Sequence, residues 1–188
     1  MDDLIFKNLG MQPYLQTLDA MKQFTEKRTS KTSDEIWLCE HPPVFTTGRF
    51  GDLSHVLNAK DIPVISTDRG GQITYHGPGQ LMIYTLINLK NRKISIREWV
   101  FQLEKWILQL LQEFGLEGQR VEGKPGIYLG NHKICSLGLR VTRGCTYHGA
   151  ALNVDMDLSP FSQINPCGYP NQPVTDLKRA LQEQGSKK

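Results

Sequence analysis

Three stretches of this 188-residue chain carry side chains suited to chemistry. The first is Arg69-Gly70-Gly71-Gln72-Ile73-Thr74-Tyr75-His76-Gly77-Pro78-Gly79-Gln80, with four glycines, a proline, an arginine and a histidine in twelve residues. Glycines let a ligand approach the backbone closely. Arginine clamps an anion, and histidine donates, accepts or ligates. A bulged hairpin corner has the same composition, so both readings stand here. The stretch lacks the G-x-x-x-x-G-K-[ST] pattern of a phosphate loop, and no helix follows it as a dinucleotide fingerprint requires.

The second stretch is His132-Lys133-Ile134-Cys135-Ser136-Leu137-Gly138. If Lys133 faces inward on a strand, burial lowers its pKa and makes it a base. A solvent-facing lysine is the commoner outcome. The third is Asn165-Pro166-Cys167-Gly168-Tyr169-Pro170. A thiol in a Pro/Gly-rich loop is held rigidly and stays accessible, as a reactive cysteine requires. The Gly168 N–H could face an oxyanion. An inert loop cysteine fits the same residues. A fourth constellation is Cys39-x-His41 with Cys145-x-x-His148, four candidate zinc ligands. Their spacing departs from the C-x-x-C knuckle of structural sites.

The elements that must position these residues are legible in part. Leu15, Leu18, Met21 and Phe24 recur at helical spacing. Glu35–Cys39 reads as a strand that ends at His41-Pro42-Pro43, because proline cannot donate to a ladder. Val64-Ile65 and Ile73–Tyr75 read as short strands. Leu81–Leu89 reads as a strand buried on both faces. A helix over 96–114 opens with an S-x-x-E box at Ser95 and Glu98, and Ile94 and Trp99 occupy staple positions. Its expected apolar face is Ile96, Val100, Leu103, Ile107, Leu110, Leu111 and Phe114, with Gly115 as the stop. Ile127–Leu129 and Lys133–Val141 flank Gly130-Asn131, a two-residue hairpin signal. Cys145–Met156 continues as a strand, 157–173 reads as loop, and Val174–Glu183 reads as a last helix. Strands and helices mix without βαβ alternation in the second half. The expectation is one α+β domain over 1–188, with flanking helices on a mixed, largely antiparallel sheet.

Composition narrows the function classes. Apolar residues make up 39% and charged residues 22%, which excludes disorder, collagen and coiled coil. Lys plus Arg (22) exceeds Asp plus Glu (19) by three, a balance too weak for nucleic-acid binding. Charge of this sign suits transient docking of acidic protein partners. No apolar run reaches the roughly 20 residues of a membrane helix, and no secretory leader is visible. Four cysteines are too few for a disulfide scaffold. The expectation is a cytoplasmic protein with reduced thiols and no membrane or nucleic-acid partner.

Arg69–Gln80, Lys124–Val141 (KPGIYLGNHKICSLGLRV), Tyr147–Val154 (YHGAALNV) and Asn165-Pro166-Cys167-Gly168 occur in this order in the octanoyl-(acyl-carrier-protein):protein N-octanoyltransferase family of lipoate biosynthesis. His41–Arg49 (HPPVFTTGR) is similar to that family's early His-Pro motif. The resemblance spans about residues 36 to 170. The chain ends sooner after the Cys167 motif than is usual in the family. The resemblance implies the biotin/lipoyl protein ligase-like, class II synthetase-type α+β fold. It implies Cys167 as nucleophile and Lys133 as the group that lowers its pKa. It implies substrate contacts from Arg69, Gly70, Gly71, Gln72, Ile73, Thr74, Tyr75 and His76, from Ser136, Leu137 and Gly138, and from Gly149, Ala150 and Ala151. No cofactor or metal is implied. The implied donor is octanoyl-acyl carrier protein. The implied acceptors are lipoyl domains of 2-oxoacid dehydrogenase E2 subunits and the glycine cleavage H protein. The competing expectations are an ATP-dependent lipoate or biotin protein ligase of the same fold, and a non-catalytic lipoyl-domain binding module.

Overall fold

The computed structural model describes residues 4–49, 51–165 and 172–186. Strand β1 (Leu4–Met11), helix α1 (Tyr14–Lys27) and strand β2 (Asp34–Glu40) form a crossover unit, with β1 parallel to β2. A parallel pair needs such a crossover, and α1 supplies it. The sequence reading missed β1. It is an edge strand, mostly exposed, so it carries no alternating apolar signal.

Strand β3 (Val44–Thr47) starts directly after His41-Pro42-Pro43, so the prolines end one strand and open the next. β3 pairs with β4 (Val64–Ser66) on one side and β5 (Thr74–His76) on the other, making a three-stranded sheet. Strand β6 (Gln80–Leu86) then enters the main sheet. It stops short of the expected Leu89, because the Asn88 side chain accepts from Asn91 N at 3.1 Å and caps α2 (Leu89–Arg92).

Helix α3 (Ile96–Glu113) begins where the capping box predicts. Ser95 Oγ accepts from Glu98 N at 3.2 Å, and Glu98 Oε2 accepts from Ser95 N at 2.7 Å. Its buried face is Trp99, Leu103, Ile107 and Leu111, a strict four-residue spacing. Ile96 and Phe114 were expected on that face but are 38% and 45% exposed. They lie at the helix ends, off this stripe.

Strands β7 (Gln119–Val121), β8 (Lys124–Leu129), β9 (His132–Thr142) and β10 (Cys145–Asn153) are joined by tight turns. The seven-stranded order is β1-β2-β6-β10-β9-β8-β7, and only β1–β2 is parallel. The mixed, largely antiparallel expectation holds. β10 is buried along its whole length, and it ends at Asn153 rather than Met156. There the Gly79 carbonyl accepts from both Val154 N and Asp155 N at 3.0 Å. The expected loop over 157–173 contains a 3-10 turn at Ser159–Gln163. Helix α4 (Leu177–Gly185) starts three residues later than expected, with Asp176 Oδ1 accepting from Arg179 N at 2.8 Å. Val174 is unavailable to a helix because it bridges in parallel to Lys133.

The main sheet has two differently clothed faces. α3 and α4 cover one, where Leu103 and Ile107 of α3 pack on Ile127, Ile134 and Leu152 of the sheet. α1 covers the other, where Tyr14, Trp37, Met82, Tyr84 and Tyr147 pack with Met21 and Leu86. Among the described residues no helix is long and apolar enough to cross a membrane.

Candidate active site

A narrow cleft, partly open to solvent, lies on the α1-covered face. Its floor comes from β9 and β10, where Gly138 opposes Gly149 and Ser136 opposes Ala151. Its roof is the loop from Arg69 to Gln72.

That loop is pinned on every side. Arg49 N donates to Arg69 O at 2.9 Å, Gly48 N to Gln72 O at 3.2 Å, and Gly70 N to Leu139 O at 2.9 Å. The Arg69 guanidinium, buried, donates to the carbonyl oxygens of Thr46 and Gln72 at 2.6 Å and of Gly70 at 2.9 Å. Its charge is thereby fixed beneath the loop. Two glycines permit the approach. A Cβ at Gly48 would lie 1.9 Å from the Gly71 oxygen, and one at Gly138 would lie 2.6 Å from the Gly70 oxygen. The HPPVFTTGR motif therefore has a physical role: Thr46 and Gly48 hold the loop down.

Three separate sequence segments, 69–76, 136–138 and 149–151, converge on this cleft. Of the residues expected there, only Gly70 and Tyr75 do not line it. Gly70 spends its N–H on β9. The Tyr75 ring turns the other way, 5.5 Å from the rings of both Phe45 and Phe161. His148 lines the cleft too, where the sequence offered it only as a zinc ligand. Tyr14, Met82 and Tyr84 also line it and were missed as site residues. Their burial in a strand or helix looks like ordinary core at the sequence level.

The histidines here are neutral and oriented. Gln80 Nε2 donates to Asn153 Oδ1 at 2.9 Å and to Tyr75 O at 3.2 Å, which leaves Gln80 Oε1 facing His76 Nδ1 at 2.7 Å. His76 Nδ1 therefore carries the proton, and Nε2 accepts from the Thr46 hydroxyl at 3.1 Å. Burial and the nearby Arg69 cation push His76 down to about 3. His41 Nδ1 donates to the Gln12 carbonyl at 2.6 Å, so its Nε2 accepts from the Tyr84 hydroxyl at 2.7 Å. Burial also lowers His41. His148 Nε2 meets Asp68 Oδ1 at 3.0 Å, and burial lowers its pKa despite that carboxylate. Tyr147 also donates to Asp68, so the carboxyl is held far below its usual range, chiefly by the His148 contact. His148 adopts φ +60 inside a strand, an uncommon conformation for a non-glycine residue and one often found at functional sites.

These contacts correct the zinc alternative. The ring nitrogens of His41 are bonded to Gln12 and Tyr84, and His148 is bonded to Asp68. Among the described residues no group of three or more His, Cys, Asp or Glu could hold a metal ion. Cys39, Cys135 and Cys145 are buried, and burial pushes the first two up to about 12.

Lys133 does not follow the common fate of strand lysines. It is only 3% exposed, and its Nζ lies 5.3 Å from the Tyr128 ring centroid. Gly126 makes room, since a Cβ there would come 3.3 Å from Lys133 Cε. Lys133 N donates to Pro173 O at 2.9 Å, and Lys133 O accepts from Thr175 N at 3.0 Å. The chain segment after residue 171 is thus tied directly to Lys133. Cys167 and Gly168 lie outside the described residues.

Known proteins resemble this chain throughout. The lipoyl protein ligase A/B catalytic domain matches residues 13–187. An octanoyltransferase of Cellvibrio japonicus (strain Ueda107) is 54% identical over 179 residues, covering 95% of this chain and 83% of the relative. One of Escherichia coli O139:H28 is 52% identical over 178 residues, covering 95% and 84%. Among solved structures, a bi-partite lipoate protein ligase from Thermoplasma acidophilum superimposes with TM-score 0.73 at 16% identity, covering 100% of this chain and 84% of its own. Lipoate-protein ligase A bound with ATP gives 0.74 at 16%, covering 94% and 76%. A biotin protein ligase from Aquifex aeolicus gives 0.54 at 11%, covering 97% and 62%. The structural likenesses show the expected ligase-like fold, and the sequence identities decide the branch: this chain belongs to the octanoyltransferases of the lipoyl protein ligase A/B catalytic-domain family and is an acyltransferase.

Proposed function

We propose that the chain moves an octanoyl group from octanoyl-acyl carrier protein to a lysine of a lipoyl domain, through a thioester on Cys167. One observation carries the reading. A cleft is lined by the three segments that the family resemblance assigns to substrate, and one of its strands, β9, carries the buried Lys133.

In the first half-reaction the Cys167 thiolate attacks the carbonyl carbon of the donor thioester. The new C–S bond forms, the carrier's C–S bond breaks, and the departing carrier thiolate takes a proton from Lys133. A free thiol is only a few per cent thiolate near neutrality, so the Lys133 cation favours the reactive form. In the second half-reaction the acceptor lysine, as the neutral amine, attacks the Cys167 thioester. The C–N bond forms, the C–S bond to Cys167 breaks, and Lys133 takes the amine's proton. The Gly168 N–H is the proposed oxyanion donor. Arg69 to Gln72 roof the chain, and Ser136–Gly138 with Gly149–Ala151 floor it. The modest excess of cations suits brief docking of acidic partners. No cofactor enters either step.

A ligase of the same fold would instead need ATP and a free acid. Product from octanoyl-carrier protein without ATP is expected, and product only from octanoic acid plus ATP would overturn the reading. Lys133→Ala is expected to slow acylation and move its pH optimum upward, because the thiol loses its cationic neighbour. An unchanged pH–rate profile would remove Lys133 from the mechanism.

A further inference from the structure

The cleft floor carries small side chains on β9 and β10 and large ones on β6. Strands β9, β10 and β6 are neighbours, and their register sets two rows: Ser136, Ala151, Met82 and Gly138, Gly149, Tyr84. Each row has two small residues and ends on a large one. A hydroxymethyl and a methyl precede a methionine, and two glycines precede a phenol. Met82 and Tyr84 are both buried, and the next strand, β2, backs them with Cys39 and Trp37. The rows therefore form a trough with a closed end at β6.

The closed end is stiff. The Tyr84 hydroxyl donates to His41 Nε2, and His41 Nδ1 in turn donates to the Gln12 carbonyl. Tyr14 stands beside this pair, with its ring 5.1 Å from the His41 ring. Because its hydroxyl is already satisfied, Tyr84 offers an apolar ring face to the cleft without an unpaired polar atom. Met82 offers a soft, deformable thioether. Such an end suits the methyl terminus of an aliphatic chain.

We infer that Met82 and Tyr84 set the length of the acyl chain, with His41 as the residue that positions Tyr84. The direction of the chain rests on the proposed function: Lys133 stands on β9, so the thioester belongs at the β9 side and the tail points toward β6. An acyl chain too long for the trough would have to displace Met82 or break the Tyr84–His41 bond, and dense interiors resist both.

The test is the chain-length profile of Met82→Ala and Met82→Phe, read as kcat/KM with hexanoyl-, octanoyl- and decanoyl-carrier protein. Two further buried methylenes are worth on the order of a tenfold preference. Met82→Ala is expected to raise the decanoyl-to-octanoyl ratio by about that factor, and Met82→Phe to raise the hexanoyl-to-octanoyl ratio. His41→Leu is expected to broaden the profile toward decanoyl by freeing Tyr84. Equal losses at every length, with ratios unchanged, would mean a purely structural role and overturn the inference. Met82→Val replaces Met82→Ala should the latter fail to fold. Calorimetric binding of free six-, eight- and ten-carbon fatty acids reads the same ratios without turnover. A wild-type protein that binds eight carbons best but transfers none from the carrier would contradict the proposed reaction and leave the ruler supported. Length-independent binding would overturn the ruler itself.

Discussion

The two faces of the seven-stranded sheet differ in what they bury, although one strand, β10, serves both. Toward α3 it presents Ala150 and Leu152, and the partners there are aliphatic. Toward α1 it presents Gly149 and Ala151, and the surroundings hold Arg69, His41, His76, Tyr84 and His148. The α3 face is a conventional apolar core whose main task is to hold the sheet together. The α1 face sets hydrogen-bonded polar side chains among aromatic and apolar ones, and its small residues leave a cleft. Stability and site construction are thus divided between two surfaces of one sheet, with β10 as the shared wall.

Substitutions can break this division. The largest expected effect is on the α3 face. Leu103→Ala removes a buried side chain and is expected to lower stability by about 2–5 kcal/mol. Below its Tm, the folded variant is expected to keep its kcat/KM, measured beside a thermal melt. On the α1 face the pattern reverses. Gly138→Ala drives a Cβ toward the Gly70 oxygen, 2.6 Å away, and shifts the loop. A misplacement of about 1 Å can cost roughly a hundredfold in rate. A hundredfold loss in kcat/KM is expected, with a smaller change in Tm. Equal damage to rate and Tm in both variants would erase the distinction between the faces.

A third effect follows from the buried histidines. His76 is held neutral down to about 3, against about 6.5 when unfolded. Below pH 6.5 the unfolded chain takes up a proton that the folded chain refuses, so stability falls as pH drops from 6.5 toward 3. At pH 5 this amounts to about 2 kcal/mol from His76. His41 and His148 act in the same direction, since burial lowers both. The depressed carboxyl of Asp68 adds a loss below its ordinary unfolded value. Denaturant midpoints at pH 7 and pH 5 read the histidine part alone, because Asp68 contributes only below about 3.8, and equal midpoints would contradict neutral histidines on this face. The smallest effect is Ser95→Ala at the start of α3, expected to cost about 1 kcal/mol with no change in rate.

The sequence is most legible where one local rule dominates. The capping box at Ser95 and Glu98 starts α3 at the right residue, and Gly130-Asn131 turns the β8–β9 hairpin. β1 carries no such signal, because an exposed edge strand needs neither alternation nor a turn at its end. Pro42 and Pro43 mark a break, but the strand that follows them is decided by pairing with residues 64–66 and 74–76, which sequence spacing does not reveal. Of the cleft, the Arg69–Gln80 loop was legible from its glycines, while 136–138 and 149–151 came only with the family resemblance. Tyr14, Met82 and Tyr84 escaped because buried aromatic and thioether side chains look alike in a core and in the wall of a site. The φ of His148 and the burial of Lys133 are set by neighbours distant in sequence.

The central claim is that this cleft serves a covalent octanoyl transfer through Cys167. Incubation of the full chain with octanoyl-acyl carrier protein, followed by intact mass spectrometry, tests it most directly. The account predicts a gain of one octanoyl group on the wild-type protein and none on Cys167→Ser. An adduct that survives Cys167→Ser, or no adduct on an otherwise active wild type, would contradict it.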